Sequence, residues 1–141
     1  GIYLFASSDN TVTGNTCNSR SYGIYLNTSS GNTITGNACN NNSYGIYLNT
    51  SNNNTITGNT CYNNYNYGIN LSSSSSNTVT GNTCIRGDGL TTDYTASQYT
   101  IQLYGTDNSY NLISNNNCMG KAVTNGGDTG NTLVNNKFDA T

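Results

Sequence analysis

The chain has 141 residues, only 7% of them charged, carries a net charge of −2, and contains no His, Pro, Trp or Glu. This excludes the basic footprint of a nucleic-acid binder, and no run of about 18 apolar residues is present to insert in a membrane. Apolar residues make up 33%, a share that in an ordinary globule points to disorder, but here they recur at fixed intervals and read as the thin core of a repeat protein.

Gly1-Ile2-Tyr3-Leu4 opens the chain, returns at Gly23 and Gly45, and reappears as Gly68-Ile69-Asn70-Leu71, in steps of 22, 22 and 23 residues. The run Asn10-Thr11-Val12-Thr13-Gly14-Asn15-Thr16-Cys17 recurs with the same spacing from Asn32, Asn54 and Asn77. A period this short, built from strand and turn residues without helical periodicity, predicts a β-solenoid. In the coil from Tyr22 to Asn42, Gly23-Ile24-Tyr25-Leu26 alternates with period two, so Ile24 and Leu26 face inward and Tyr25 outward. Asn27 to Gly31 is a polar turn, and Thr33-Ile34-Thr35 is a second strand with Ile34 inward. Gly36-Asn37 is a corner, and Ala38-Cys39 a short third strand. The expectation is an all-β, right-handed, single-stranded parallel β-helix of about six coils of ~22 residues, stacked ~4.8 Å apart.

The register continues into a degenerate C-terminal part, where Asn111 to Cys118 and Asn131 to Phe138 align with the earlier runs. Inward ladders follow: Ile2/Ile24/Ile46/Ile69/Ile101, Leu4/Leu26/Leu48/Leu71/Leu103 and Val12/Ile34/Ile56/Val79/Ile113/Leu133. One corner holds Gly14, Gly36, Gly58 and Gly81, then Asn115 and Asn135. Gly replaced only by Asn predicts a left-handed backbone there. Two asparagine columns, Asn10/32/54/77/111/131 and Asn15/37/59/82/116/136, are placed to bond along the stack and satisfy turn groups that no strand pairs. The whole of 1–141 reads as one β-helix domain, with an inserted loop at 85–100 and a degenerate coil at 119–141. Opening in mid-repeat without initiator Met or signal peptide, it reads as a piece of a longer chain.

Cys17, Cys39, Cys61, Cys84 and Cys118 form a further column. Five is an odd number, side chains running parallel suit the disulfide torsion poorly, and neither a CxxC nor a His completes a recognisable metal site. The column reads as a buried stack of thiols, with no metal ligation and no disulfides.

Function is sought where the repeat breaks or faces outward. The loop from Ile85 to Thr100 is about ten residues longer than its counterparts and carries Arg86, Asp88 and Asp93. Two carboxylates beside an arginine are suited to acid/base chemistry on a glycan or to holding Ca²⁺. Arg86-Gly87-Asp88 also matches an adhesion tripeptide, which three residues produce readily by chance. Outward tyrosines form two ladders, Tyr3/Tyr25/Tyr47 and Tyr22/Tyr44/Tyr67/Tyr99, which offer stacking surfaces for sugars; cross-strand stabilisation of the sheet is the structural alternative. The third candidate is an ice-binding face made by Thr11/Thr13, Thr33/Thr35, Thr55/Thr57 and Thr78/Thr80. Sequons such as Asn27-Thr28-Ser29 are expected by composition alone.

The Gly-Ile-Tyr-Leu and Asn-Thr-Ile-Thr-Gly-Asn motifs at a 22-residue step resemble the right-handed β-helix repeats of the NosD-like, carbohydrate-binding and sugar-hydrolase superfamily, whose architecture pectate-lyase-like proteins and phage tailspikes share. The resemblance covers nearly the whole chain and concerns fold; function sits in grafted loops. It implies an extracellular, cell-surface or virion-associated location. NosD itself is linked to copper-enzyme maturation, but the lone Met119 and the absence of His match no copper ligand set. Pectate lyases hold Ca²⁺ with Asp clusters beside a basic residue, to which Asp88, Asp93 and Arg86 bear a loose similarity. The expected function is a non-catalytic rigid or glycan-contacting segment of a surface protein or phage tail spike, needing no cofactor. The alternatives are the C-terminal part of a polysaccharide lyase or hydrolase and an ice-binding protein. The expected partners are polysaccharide and, end to end or in lateral trimers, further copies of the chain.

Overall fold

The computed structural model describes residues 1–85, 99–119, 124–125 and 129–138. The strands are all parallel and fall on three sides of a solenoid. The first side stacks β1 (Ile2–Phe5), β3 (Tyr22–Asn27), β5 (Tyr44–Asn49), β7 (Tyr67–Ser72), β9 (Tyr99–Tyr104) and β12 (Thr124–Asn125). The second stacks β2 (Thr11–Thr13), β4 (Thr33–Thr35), β6 (Thr55–Thr57), β8 (Thr78–Thr80), β10 (Leu112–Ser114) and β13 (Thr132–Val134). A short pair, β11 (Asn117–Cys118) with β14 (Lys137–Phe138), lies on the third side.

Pairing follows the expected register throughout. Ile2, Ile24, Ile46, Ile69 and Ile101 stand opposite one another, as do Leu4, Leu26, Leu48, Leu71 and Leu103. Val12, Ile34, Ile56, Val79, Ile113 and Leu133 do the same on the second side. From Leu4 and Val12 to Leu103 and Ile113 these ladders and the cysteine column form one continuous core, with Ile2 packed against it; Leu133, expected inward, is instead exposed, because no further strand on this side covers it among the described residues. Each fully buried Ile or Leu contributes about 1.5–3 kcal/mol relative to an exposed one, so a core only a few side chains wide is long enough to hold the stack.

Two expectations are corrected. The asparagine ladder climbs in steps of 22, 22, 23, 34 and 20 residues, so the chain completes about five turns rather than six. The fourth step is long because the 85–100 insertion falls within it. The third side carries no strand in the early coils, only single bridges from Thr16 through Ala38, Thr60 and Thr83 to Asn117. The backbone there turns left-handed almost at once, at Ser19 (φ 58°), Asn41 (φ 55°) and Asn63 (φ 50°), which leaves room for one paired residue per coil.

The predicted left-handed corner is present in all six places, with φ between 53° and 66° from Gly14 to Asn135. A further left-handed column is built mainly from residues other than Gly: Ala6 (φ 47°), Thr28 (φ 52°), Thr50 (φ 51°) and Ser73 (φ 47°) precede Gly105 (φ 100°). β-Branched residues adopt this conformation at a cost.

Candidate functional site

The buried asparagines and serines of the turns are linked in ladders. In the second asparagine column, Asn59 Nδ2 donates to Ile34 O at 2.9 Å and to Asn82 Oδ1 at 3.0 Å, while Asn59 N–H donates to the same Asn82 oxygen at 2.9 Å. Two further ladders escaped the sequence reading. Ser7 N–H donates to Ser29 Oγ, Ser29 N–H to Ser51 Oγ and Ser51 N–H to Ser74 Oγ, each at 3.0 Å. At the third corner Asn42 N–H donates to Asn64 Oδ1 at 2.9 Å, and Asn42 Nδ2 donates to Cys17 O at 2.8 Å. These groups are consumed by the fold and have no capacity left for a ligand.

All five cysteines are free and buried. Burial pushes the Cys17 thiol up, and Cys39 is pushed up by the hydrogen bond to the Cys61 thiol and by burial. Among the described residues no three His, Cys, Asp or Glu side chains converge.

The tyrosine face lies on the first side. Gly23 and Gly45 sit between the two tyrosines of each coil and are skipped by the pairing register. A Cβ on Gly45 would lie 2.4 Å from the carbonyl oxygen of Gly68, so only glycine lets the coils close here. With the glycine turned against the next coil, Tyr44 and Tyr47 both reach the outer surface. Along the stack, Tyr3–Tyr25 and Tyr25–Tyr47 centroids are both 5.0 Å apart, with planes inclined by 19° and 10°. Tyr22–Tyr44 lie at 5.2 Å, and the columns interlock through Tyr22–Tyr25 at 4.8 Å and Tyr44–Tyr47 at 5.2 Å. Ring faces within this wall are therefore spent on one another, and what it presents outward is edges and phenol oxygens. Burial pushes the phenols of Tyr44 and Tyr47 up; Asn66 and Ser72 respectively hydrogen-bond them and partly offset this.

The wall stops after Tyr47, where the next two coils place Asn70 and Gln102 in register instead of tyrosine. A cavity of about 310 Å³ opens at this point, floored by Asn70 and Ser72 and edged by Tyr47, Tyr67 and Tyr104. The Tyr44–Tyr67 pair beside it is tilted by 50°, unlike the near-parallel stacks before it. A larger hollow, about 480 Å³, lies beyond Tyr3 and is bordered by Gly1 and Arg20.

The threonines Thr11/Thr13, Thr33/Thr35, Thr55/Thr57 and Thr78/Thr80 occupy the second side in register, facing away from the tyrosines. The row passes into Leu112/Ser114, with Ser114 Oγ donating to Thr80 Oγ1 at 3.2 Å. Arg86, Asp88 and Asp93, like most of the 85–100 insertion, lie outside the described residues, as does the side chain of Tyr99. No helix among the described residues is long and apolar enough to cross a membrane.

A comparison with curated proteins finds no significant match. Among solved structures the chain is similar to the Dettilon tailspike protein, with a TM-score of 0.68 and 22% identity over 91% of this chain and 30% of that one. It is also similar to a variant of the periplasmic alginate epimerase AlgG, with a TM-score of 0.63 and 20% identity over 97% of this chain and 36% of that one. The A-module of an Azotobacter vinelandii mannuronan C-5 epimerase aligns at a TM-score of 0.56 and 16% identity, over 98% of this chain and 49% of that one. These likenesses concern the fold, and the chain spans less than half the length of each of these proteins. At the level of sequence, residues 1–141 match in full the family described as periplasmic copper-binding protein (NosD), and the chain belongs to that family.

Proposed function

We propose that this chain is a non-catalytic, polysaccharide-contacting segment of a β-solenoid protein that works outside the cytoplasm, as a surface protein or tail spike does. The observation that carries this reading is the interlocked tyrosine wall on a rigid, in-register sheet. Its phenol edges, bordered by Asn27, Asn49 and Ser72, form a preorganised surface of hydrogen-bonding groups that loses little entropy on binding. The similar structures support it, since one is a tailspike and the others are epimerases of alginate or mannuronan.

The copper binding named in the family description does not fit the residues of this chain. There is no His, Met119 is the only methionine, and the thiols are buried in the core with their protons held by raised pKa values. A soft metal ion needs thiolates that it can reach.

A glycan array comparing the wild-type chain with a Tyr25→Ala/Tyr47→Ala variant tests the proposal. Binding by the wild type that falls at least tenfold in a variant with unchanged circular dichroism supports it. Equal binding by the two, or none by the wild type, removes it. Glycan cleavage lost on Asp88→Asn and Asp93→Asn would favour instead the polysaccharide-processing enzyme suggested by the charged insertion.

A further inference from the structure

The cavity at the end of the tyrosine column has the features of a ligand site rather than of a packing defect. We propose that it is a subsite for one neutral pyranose unit, seated beside Tyr47 with a hydroxyl hydrogen-bonded to the Asn70 amide; this rests on the polysaccharide-contact reading above.

Three observations carry the assignment. First, Tyr47 stacks on Tyr25 at 5.0 Å and on Tyr44 at 5.2 Å, while the next coil sets Asn70 where its column would otherwise continue. Tyr47 is thus the last ring of its column and borders the cavity. Second, Asn70 is only 5% exposed, and its side-chain oxygen has no hydrogen-bond partner among the described residues. A buried acceptor left unpaired is costly to the fold and is relieved by a ligand that donates to it. The neighbouring buried asparagines of the ladders, Asn54, Asn59, Asn77 and Asn82, all have theirs satisfied. Asn117, the other buried amide oxygen without a partner, lines neither hollow. Third, the position departs from the repeat: Gly68-Ile69-Asn70-Leu71 replaces the Gly-Ile-Tyr-Leu of the preceding coils.

Chemistry selects the ligand class. The volume of about 310 Å³ is at the lower end for ligand cavities and suits one sugar unit. Besides Asn70, the lining offers the Ser72 hydroxyl, the Gln102 amide and, at the rim, the 63% exposed ring of Tyr104. No Lys or Arg among the described residues lines it, so the carboxylate of a uronate would lose water there without gaining a cation. A neutral hexose meets no such penalty, which separates this subsite from one built for mannuronan.

The test is calorimetric titration with neutral gluco-, manno- and galacto-oligosaccharides and, in parallel, oligomannuronate and oligogalacturonate. Wild type, Asn70→Tyr, Asn70→Leu, Tyr25→Ala and Thr57→Val are compared, each with a thermal melt. Asn70→Tyr restores the repeat and fills the cavity; it is expected to melt above wild type yet lose neutral-sugar binding. Asn70→Leu is expected to weaken binding about tenfold without lowering the melting temperature, and Thr57→Val, on the opposite side, to bind like wild type. Preference for the uronates overturns the subsite, as does full binding by Asn70→Tyr alongside loss in Tyr25→Ala; the polysaccharide-contact reading survives both. No binding of any saccharide by wild type overturns both proposals.

Discussion

The side-chain oxygen of Asn54 accepts two hydrogen bonds from Asn32, one from its backbone N–H at 2.8 Å and one from its Nδ2 at 3.1 Å. Asn54 Nδ2 donates in turn to Ser29 O at 3.0 Å and to Asn77 Oδ1 at 3.1 Å. One side chain thus ties together three coils. Asn54→Leu strands several buried polar groups and is expected to destabilise by about 3 kcal/mol or more. At the exposed start of the column, Asn10→Leu strands fewer, and its cost should stay under about 1 kcal/mol. Urea denaturation of the two variants measures the difference, and equal costs would contradict the ladder's role.

Glycines serve two separable purposes. At Gly58 the backbone is left-handed (φ 63°) and an added Cβ would meet nothing within 4 Å, so Gly58→Val should cost about 1–2 kcal/mol through conformation alone. Gly58→Asn, the exchange made naturally at Asn115 (φ 55°), should cost less. Gly45→Ala drives a Cβ onto the Gly68 carbonyl and should exceed both. Conversely, Thr50 sits at φ 51°, and Thr50→Gly should be neutral or stabilising by up to about 1 kcal/mol. Melting temperatures of the four variants give the order.

The thiol column sets an alkaline limit. Burial, partly offset by a hydrogen bond with Thr100, pushes the Cys118 thiol from 9.0 up to about 11. A raised folded-state value means that the stabilising contribution is complete below pH 9 and is lost as pH climbs toward 11. The melting temperature should therefore be level on the neutral side and fall across that window, with a smaller fall in Cys118→Ala. At pH 8 the native chain should react with a thiol reagent far more slowly than the urea-unfolded chain, in which all the cysteines are accessible.

Much of this was legible in the sequence because the repeat prints each ladder as a column. Ile24 over Ile46, Asn32 over Asn54 and Gly36 over Gly58 each recur at one spacing and differ in chemistry from their neighbours. The Ser29/Ser51/Ser74 ladder was not legible, because it lies in a turn where almost every residue is polar and nothing marks one serine as the buried one. The left-handed Thr28 and Thr50 were hidden for the opposite reason: their residue type argues against the conformation that tertiary stacking imposes. Asn70 was visible as a departure from the motif, yet its meaning depends on the cavity it shares with Tyr47 one coil away, a relation that only the stacked structure supplies. The tyrosines themselves were legible as outward columns, whereas the spending of their faces on one another needed the 5 Å spacing to be seen.

The central claim is that polysaccharide is met by the tyrosine side of the solenoid, and backbone amide NMR during titration with an array-identified oligosaccharide tests it most directly. The account predicts shifts concentrated in Tyr22–Asn49, Asn70 and Gln102, with Thr33–Thr35 and Thr55–Thr57 unmoved. Shifts confined to the threonine side or to the 85–100 insertion would contradict it.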